Sequence, residues 1–372
     1  MSRLVYVIPQ LGPDESQHFA HIPALLEALG TRTELAAVIE RGVGPTAMPG
    51  VGLLLTVPGR GRLGRLIGTF NVIRTCAARG HRTYFLRYSR FFLVVLLMTY
   101  PLYRHRILLW RSGTADLIEP GRRRGIGAKV DDGINWVLLR FVHRLVTGPE
   151  TMVGVMARRW GLDPDRVDLL YNDIDPRRFA PLGCTDRARV RSEMGWADDE
   201  FVLLFVHRLS FRRGTRLLVP LLDVVRRRLD QPVRLVVVGD GPDRSDLERA
   251  AADITDLDVV GPVANHRLPE VYAAADCFLM PSYEEGFPRV LLEAMAAAVP
   301  IVTTDAGGSA DVVGRDYPYI TAVGDVEGMA QKVLAVARLG PAGRGDLGGA
   351  LRQRAVARFS PGQVAHMLAD LL

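Results

Sequence analysis

The chain has 372 residues, 48% of them hydrophobic and 24% charged, which supplies apolar material for folded cores and length for two domains rather than one. Its three cysteines, Cys76, Cys184 and Cys277, are odd in number, far apart and without C-x-x-C spacing; this argues against a disulfide framework or a cysteine zinc site and fits a reducing compartment. The net charge of +6 is uneven, with 23 Lys+Arg against 13 Asp+Glu in residues 1–170 and 24 against 28 in the remainder.

From the amino terminus, "MSRLVYVIPQLGP" meets a proline too soon for a signal peptide and reads as a buried first strand, so export is not expected. Strands are expected near Leu4 to Ile8, Leu53 to Val57, Tyr84 to Tyr88, Ile107 to Trp110, Leu145 to Thr147 and Val167 to Tyr171. Between them "FFLVVLLM", Phe91 to Met98, falls well below the ~20 residues that span a bilayer and reads as a buried helix or strand. "LLYNDIDPRRFAPLG" is dense in Asn, Asp, Pro and Gly and reads as a linker near Asn172 to Pro181. Beyond it, "FVLLFVHRL", "RLVVVGDG", "DVVGPV", "DCFLMPS" and "PIVTTDAGG" are five strand-then-loop units, each followed by a helical segment. "GPAGRGDLGG" reads as a turn-rich surface segment, and "PGQVAHMLADLL" as a Pro-started amphipathic helix able to pack back onto either lobe. The fold class expected is α/β, with two Rossmann-like doubly wound parallel-sheet domains facing across a cleft. The expected divisions are 1–172, 173–356 and a returning helix over 357–372.

"EEGFPRVLLEAMAAAVP" places Glu285 and Glu293 seven residues apart across a Gly-Phe-Pro turn and an apolar helix-forming run. Pro288 suits the first helical position, so the free N–H groups and positive end of the helix offer an anion site near Gly286, Phe287, Pro288, Arg289 and Val290. Glu293, two turns in, repels that anion but accepts two hydrogen bonds from a diol such as ribose, and Glu285 reaches hydroxyls on the other side. The plainer reading is a solvated Arg289–Glu293 pair worth tenths of a kcal/mol. Arg208 closes the strand "FVLLFVHRL", and Arg212 and Arg213 follow in "SFRRG", where forked hydrogen bonds can converge on a diphosphate and stabilise it as it leaves. "VVVGDGPDRSDLE" lacks the third glycine of G-x-G-x-x-G, because Arg244 stands there, so its glycines read as a tight turn.

Together "HRLSFRRG", "VVVGDGP", "LLYNDIDPRRF" and "VVGPVANHRLPEVYAAADCFLMPSYEEGFPRVLLEAMAAAVPIVTTDAGG" resemble the retaining nucleotide-sugar glycosyltransferases called group 1, which have the two-lobed GT-B fold. The resemblance covers the linker and nearly all of the second lobe. It implies that Glu293 binds ribose, that Glu285 contacts the donor sugar, that residues Gly286 to Val290 supply backbone donors and that Arg208 holds the diphosphate. Arg213 stands where the family usually has lysine. Gly12 and Val263 join the implied donor-binding set, although "PQLGPDESQHF" offers only one of the usual paired glycines. The family histidine after a later strand is replaced, in "ILLWRSG", by Arg111. His18, His21, His81 and His105 are its candidate substitutes, each read as a surface or loop histidine.

The expected activity is transfer of a sugar from a nucleoside-diphosphate-sugar donor to a glycan, lipid-linked or small-molecule acceptor with retention of configuration. The donor belongs to the second lobe and the acceptor to the first. No cofactor or metal is expected: Asp163/Asp165, Asp173/Asp175 and Asp256/Asp258 form D-x-D pairs that turn capping explains. The alternative is a nucleotide-sugar-binding protein of the same fold with impaired catalysis. Phosphorylase chemistry would need a pyridoxal lysine, and Lys129 and Lys332 are the only lysines. The basic first half suggests an anionic partner, or else solvated arginines in a chain almost without lysine. Nucleic acid is not expected, since no aromatic-basic interleaving accompanies the charge. A cytoplasmic location is expected, with peripheral contact at an anionic inner membrane surface through Gly59 to Arg65 and Gly121 to Gly125 as a hypothesis.

Overall fold

The computed structural model describes residues 2–11, 21–42, 44–87, 89–111 and 126–372, with the side chains of 126–131 excepted. It divides into two units, residues 1–173 with 361–372 and residues 174–360. In the first, strands β1 (Arg3–Ile8), β2 (Glu34–Ile39), β3 (Leu53–Thr56), β4 (Thr83–Arg87), β5 (Arg106–Trp110), β6 (Arg144–Thr147) and β7 (Val167–Leu169) form one parallel sheet in the order β3-β2-β1-β4-β5-β6-β7. Helices α1 (Ile22–Gly30), α2 (Gly61–Ala78), α3 (Arg90–Tyr103), α4 (Ile126–Arg140) and α5 (Glu150–Trp160) make the crossovers. Strand β2, "ELAAVI", was not among the expected strands; five of its six residues are buried.

One core joins Val5, Val7, Tyr84 and Leu86 of the sheet to Ile73 and Cys76 of α2, Phe92 and Leu96 of α3, Leu139 of α4 and Met156 of α5. These four helices therefore cover a single face of the sheet. The apolar run Phe91 to Met98 is helical within α3, opened by the Ser89 hydroxyl accepting from the Phe92 N–H at 3.1 Å. It is not a buried helix on all sides, because Val94 and Met98 are exposed.

In the second unit, β8 (Phe201–Val206), β9 (Val233–Val238), β10 (Leu257–Gly261), β11 (Cys277–Met280), β12 (Ile301–Thr304) and β13 (Ile320–Thr321) form a parallel sheet in the order β10-β9-β8-β11-β12-β13. All six residues of β8 are buried, as a central strand covered on both faces requires. The helices are α6 (Cys184–Met194), α7 (Thr215–Arg228), α8 (Arg244–Asp253), α9 (Leu268–Ala274), α10 (Arg289–Ala296), α11 (Ser309–Val313), α12 (Val326–Arg338) and α13 (Gly340–Phe359). The segment "GPAGRGDLGG" is thus helical, contrary to its reading as turns. Gly348 explains why: a Cβ there would lie 1.8 Å from the Ala298 carbonyl oxygen, so its glycine is spent on close packing. The last helix, α14 (Pro361–Asp370), returns to the first unit and packs on α1. Among the described residues no helix is long and apolar enough to cross a membrane.

Candidate active site

All strands of the second sheet are parallel, so the exits of β8 and β11 open at the same edge, where open α/β sheets bind ligands. After β8, a short 3-10 turn at Phe211–Arg213 ends on Gly214, whose φ is 73°. A Cβ on Gly214 would stand 2.0 Å from the Pro281 carbonyl oxygen, so only glycine lets the basic turn lie against the β11 exit. That approach brings Arg213 within 2.5 Å of both Glu285 Oε1 and the Glu284 carbonyl, and Arg212 within 2.6 Å of Glu284 Oε1. From the other side, Gly307 at φ 55° abuts the Glu285 carbonyl, where a Cβ would come to 1.9 Å.

Glu285 is 3% exposed and is met by three donors. The Ser282 hydroxyl donates to Oε1 at 2.7 Å, Arg213 closes the ion pair, and His207 Nε2 lies 3.1 Å away. His207 Nδ1 accepts from the Arg208 N–H at 2.8 Å, which puts the imidazole proton on Nε2 and makes the ring a donor to Glu285. Burial pushes the Glu285 carboxyl up, but the hydrogen bond from His207, the Arg213 charge and the Ser282 hydroxyl together outweigh it and hold the group below the usual range. Glu293 shifts the other way. Burial raises it above an ordinary carboxylate despite nearby Arg289 and the 2.9 Å hydrogen bond donated by Tyr272. Two carboxylates on one loop and helix thus hold their protons at different pH, the arrangement that separates roles in sites.

The remaining expected donor residues divide by what they can offer. Pro288 is the residue before the helix, with ψ 116°, and the first helical position falls to Arg289; Pro288 itself has no side chain that caps the helix. Phe287 is 5% exposed and its ring packs on Phe359, so its side chain belongs to the core and only its backbone is at the loop. The Gly286 carbonyl accepts from the Gly308 N–H at 2.9 Å. Arg208 is exposed and stands outside the Glu285 cluster, and Val263 lies in the loop after β10. Gly239 and Gly241 form the turn after β9, with the Gly239 N–H donating to the Gly261 carbonyl at 2.9 Å.

In the first unit, Gly12 and His18 lie outside the described residues. Arg111 stacks on Trp160, its guanidinium carbon 4.9 Å from the ring centroid. Polar groups gather at the strand ends around Arg87, the last residue of β4. It is 5% exposed, lies 4.2 Å over the Trp110 ring, donates to Asn172 Oδ1 at 2.7 Å and sits 2.9 Å from His21 Nε2. His81 and His105 lie in the loops that lead into β4 and β5, as loop histidines would, but both are buried rather than at the surface. Of the D-x-D pairs, Asp163 and Asp175 accept from backbone N–H groups two residues on, as caps do. Asp173 instead is buried 3.9 Å from His21, and Asp256 and Asp258 stand beside Arg226 and Arg234. Among the described residues no group of three His, Cys, Asp or Glu side chains gathers to hold a metal.

Reading along the sequence missed His207, Ser282, Tyr272 and Arg87. The signal for the first was present, since His207 directly precedes Arg208 at a strand end.

Residues 200–338, which contain this whole cluster, match the family model for group 1 glycosyl transferases. The D-inositol 3-phosphate glycosyltransferase of Nocardia farcinica is 32% identical over 180 residues, covering 46% of this chain and 39% of that protein. The putative teichuronic acid biosynthesis glycosyltransferase TuaC of Bacillus subtilis is 31% identical over 147 residues, covering 40% and 36%. The chain therefore matches about two fifths of the length of these curated relatives. Among solved structures, Anabaena HepE in complex with UDP and glucose aligns over 100% of this chain and 99% of its own, with TM-score 0.74 and 18% identity. Sucrose-phosphate synthase from Thermosynechococcus elongatus aligns over 100% and 98%, with TM-score 0.73 and 18% identity. Residues 200–338 therefore form a group 1 glycosyl transferase domain, and the two parallel sheets of the chain are those of the GT-B fold.

Proposed function

We propose that the protein transfers a sugar, with retention of configuration, from a nucleoside-diphosphate-sugar to a glycan, lipid-linked or small-molecule acceptor, and that it acts in the cytoplasm. The observation that carries this reading is the buried Glu285 with Arg213 and His207 at the strand exits, beside the start of α10 and inside the family match. Chemistry gives these groups distinct tasks. The diphosphate brings more negative charge than one carboxylate and draws Arg213 from Glu285, with Arg208 and the N–H groups of Arg289 and Val290 adding to its stabilisation as it leaves. Glu285, still held by Ser282 and His207, then accepts hydroxyls of the donor sugar. Glu293 accepts from the ribose diol. A leaving-group oxygen on the same face takes the acceptor proton as the new glycosidic bond forms and the bond to diphosphate breaks, which retains configuration. Selection of the acceptor belongs to the first unit.

HepE was solved with UDP and glucose, so UDP-sugars are the first donors to try, beside GDP- and ADP-sugars. One nucleotide should both raise the melting temperature and release diphosphate with a mixed acceptor extract. A ligand that binds only the folded state stabilises it by about 2.7 kcal/mol at a hundredfold excess over Kd. Melting shifts without release in any extract would favour the binding protein with impaired catalysis, and no shift with any nucleotide would overturn the donor site.

A further inference from the structure

We propose that the outer face of α2 and α3 in the first unit docks the protein on the surface of an anionic lipid bilayer. Two independent observations meet there. On α2, Leu63, Ile67 and Phe70 recur at helical spacing and are 69%, 54% and 37% exposed; on α3, Val94, Met98 and Leu102 do the same at 41%, 64% and 67%. The opposite sides of both helices are buried in one core, and Arg65 of α2 lies 4.7 Å over the Phe91 ring of α3, so the two stripes stand side by side on a fixed pair. Contiguous apolar surface of this kind marks an interaction site rather than ordinary solvent-facing helix.

Charge chooses the occupant. From Arg41 to Ala115 the sequence has 12 arginines and no aspartate or glutamate. Both helices run antiparallel to their neighbouring strands, so their starts, with exposed Arg60, Arg62 and Arg90, lie at one end and their finishes, with exposed Arg74 and Arg104, at the other. An apolar centre between arginine-bearing ends is the composition that settles into a headgroup layer, with leucine, methionine and phenylalanine reaching acyl chains and guanidinium groups meeting lipid phosphates. A protein partner would need a dense acidic surface around an apolar one; an anionic bilayer supplies both throughout. The 18 residues of α2 and 14 of α3 extend about 27 and 21 Å, short of the ~30 Å hydrocarbon core, and neither is long and apolar enough to cross, so the pair lies on the membrane. The proposal rests on the first unit alone and not on sugar transfer.

Flotation of the full chain with vesicles tests it, using equal phosphatidylglycerol and phosphatidylcholine against phosphatidylcholine alone. The protein should float with the anionic vesicles at 0.05 M salt, weaken by about tenfold or more at physiological salt and above, and ignore the neutral ones. Met98→Gln with Leu102→Gln should lower binding by about tenfold, and Arg62→Gln with Arg74→Gln by about fivefold per charge, with unchanged melting temperatures. Val356→Gln, which removes an exposed apolar residue of the second unit, should change nothing. Failure to float at low salt, or flotation indifferent to both double substitutions, overturns the proposal. So does a concentration-dependent dimer abolished by Met98→Gln with Leu102→Gln, which would make the face a contact between copies.

Discussion

Glu293 is the residue on which the donor reading can be tested most directly. It is half-buried, accepts from the Tyr272 hydroxyl at 2.9 Å, and is pushed above the usual carboxylate range by burial despite nearby Arg289. A ribose diol would give it the partners it can still accept. Glu293→Ala should therefore cost about 1.5–3 kcal/mol of nucleotide affinity by calorimetry on the protein that remains folded. Unchanged affinity would return Glu293 to surface charge. A second residue speaks to pH. His105 is fully buried, its ring bonded to the Thr99 hydroxyl at 3.0 Å, and burial, with Arg82, pushes its pKa down to about 4. The unfolded chain binds a proton there near pH 6.5 and the folded chain does not, so stability must fall as pH drops from 6.5 to 4 and level off below. This one group accounts for roughly 3 kcal/mol over that window. His105→Phe should flatten the corresponding part of a denaturation-versus-pH series; an equally steep series in the variant would assign the slope to other groups.

At the scale of elements, glycines in the second unit carry opposite predictions. Gly307 takes φ 55° against the Glu285 carbonyl, so Gly307→Ala adds backbone strain of about 1–3 kcal/mol and a clash that moves the Glu285 loop. Stability and nucleotide affinity should fall together in that variant. Gly345 lies exposed inside α13 with open space where a Cβ would go, so Gly345→Ala should stabilise by about 0.5–1 kcal/mol in chemical denaturation. The same helix shows where the sequence misleads. Its run of glycines has the composition of turns, and nothing local says that Gly348 is small because Ala298 presses against it. By contrast α10 was legible as soon as the Gly-Phe-Pro turn was placed after a strand, with Pro288 one position off the expected start.

For the molecule as a whole, the parallel sheets could be read because central strands such as β8 are continuous apolar runs, while Ala-rich β2 and two-residue β13 carry too little of that signal. The Glu285 loop was legible as a motif, but its ties to His207 and Arg213 join residues more than seventy positions apart that no spacing rule connects. Arg87 is likewise tied to His21 and Asn172, 66 and 85 positions away. The returning helix tests how the two units depend on each other. Helix α14 follows residues of the second unit in sequence yet packs on α1 of the first, with Val364 and Leu368 fully buried and Arg106 donating to the Leu372 carbonyl. Deleting residues 361–372 removes the helix that packs on α1 and forfeits burial of two large side chains worth about 3–6 kcal/mol. The loss should fall on the first unit. Calorimetry of the truncated chain should show a transition moved to lower temperature while that of the second unit, identified by its response to added nucleotide, stays in place. A single transition that moves as one would mean that the two sheets unfold together, with the chain's final helix stabilising both.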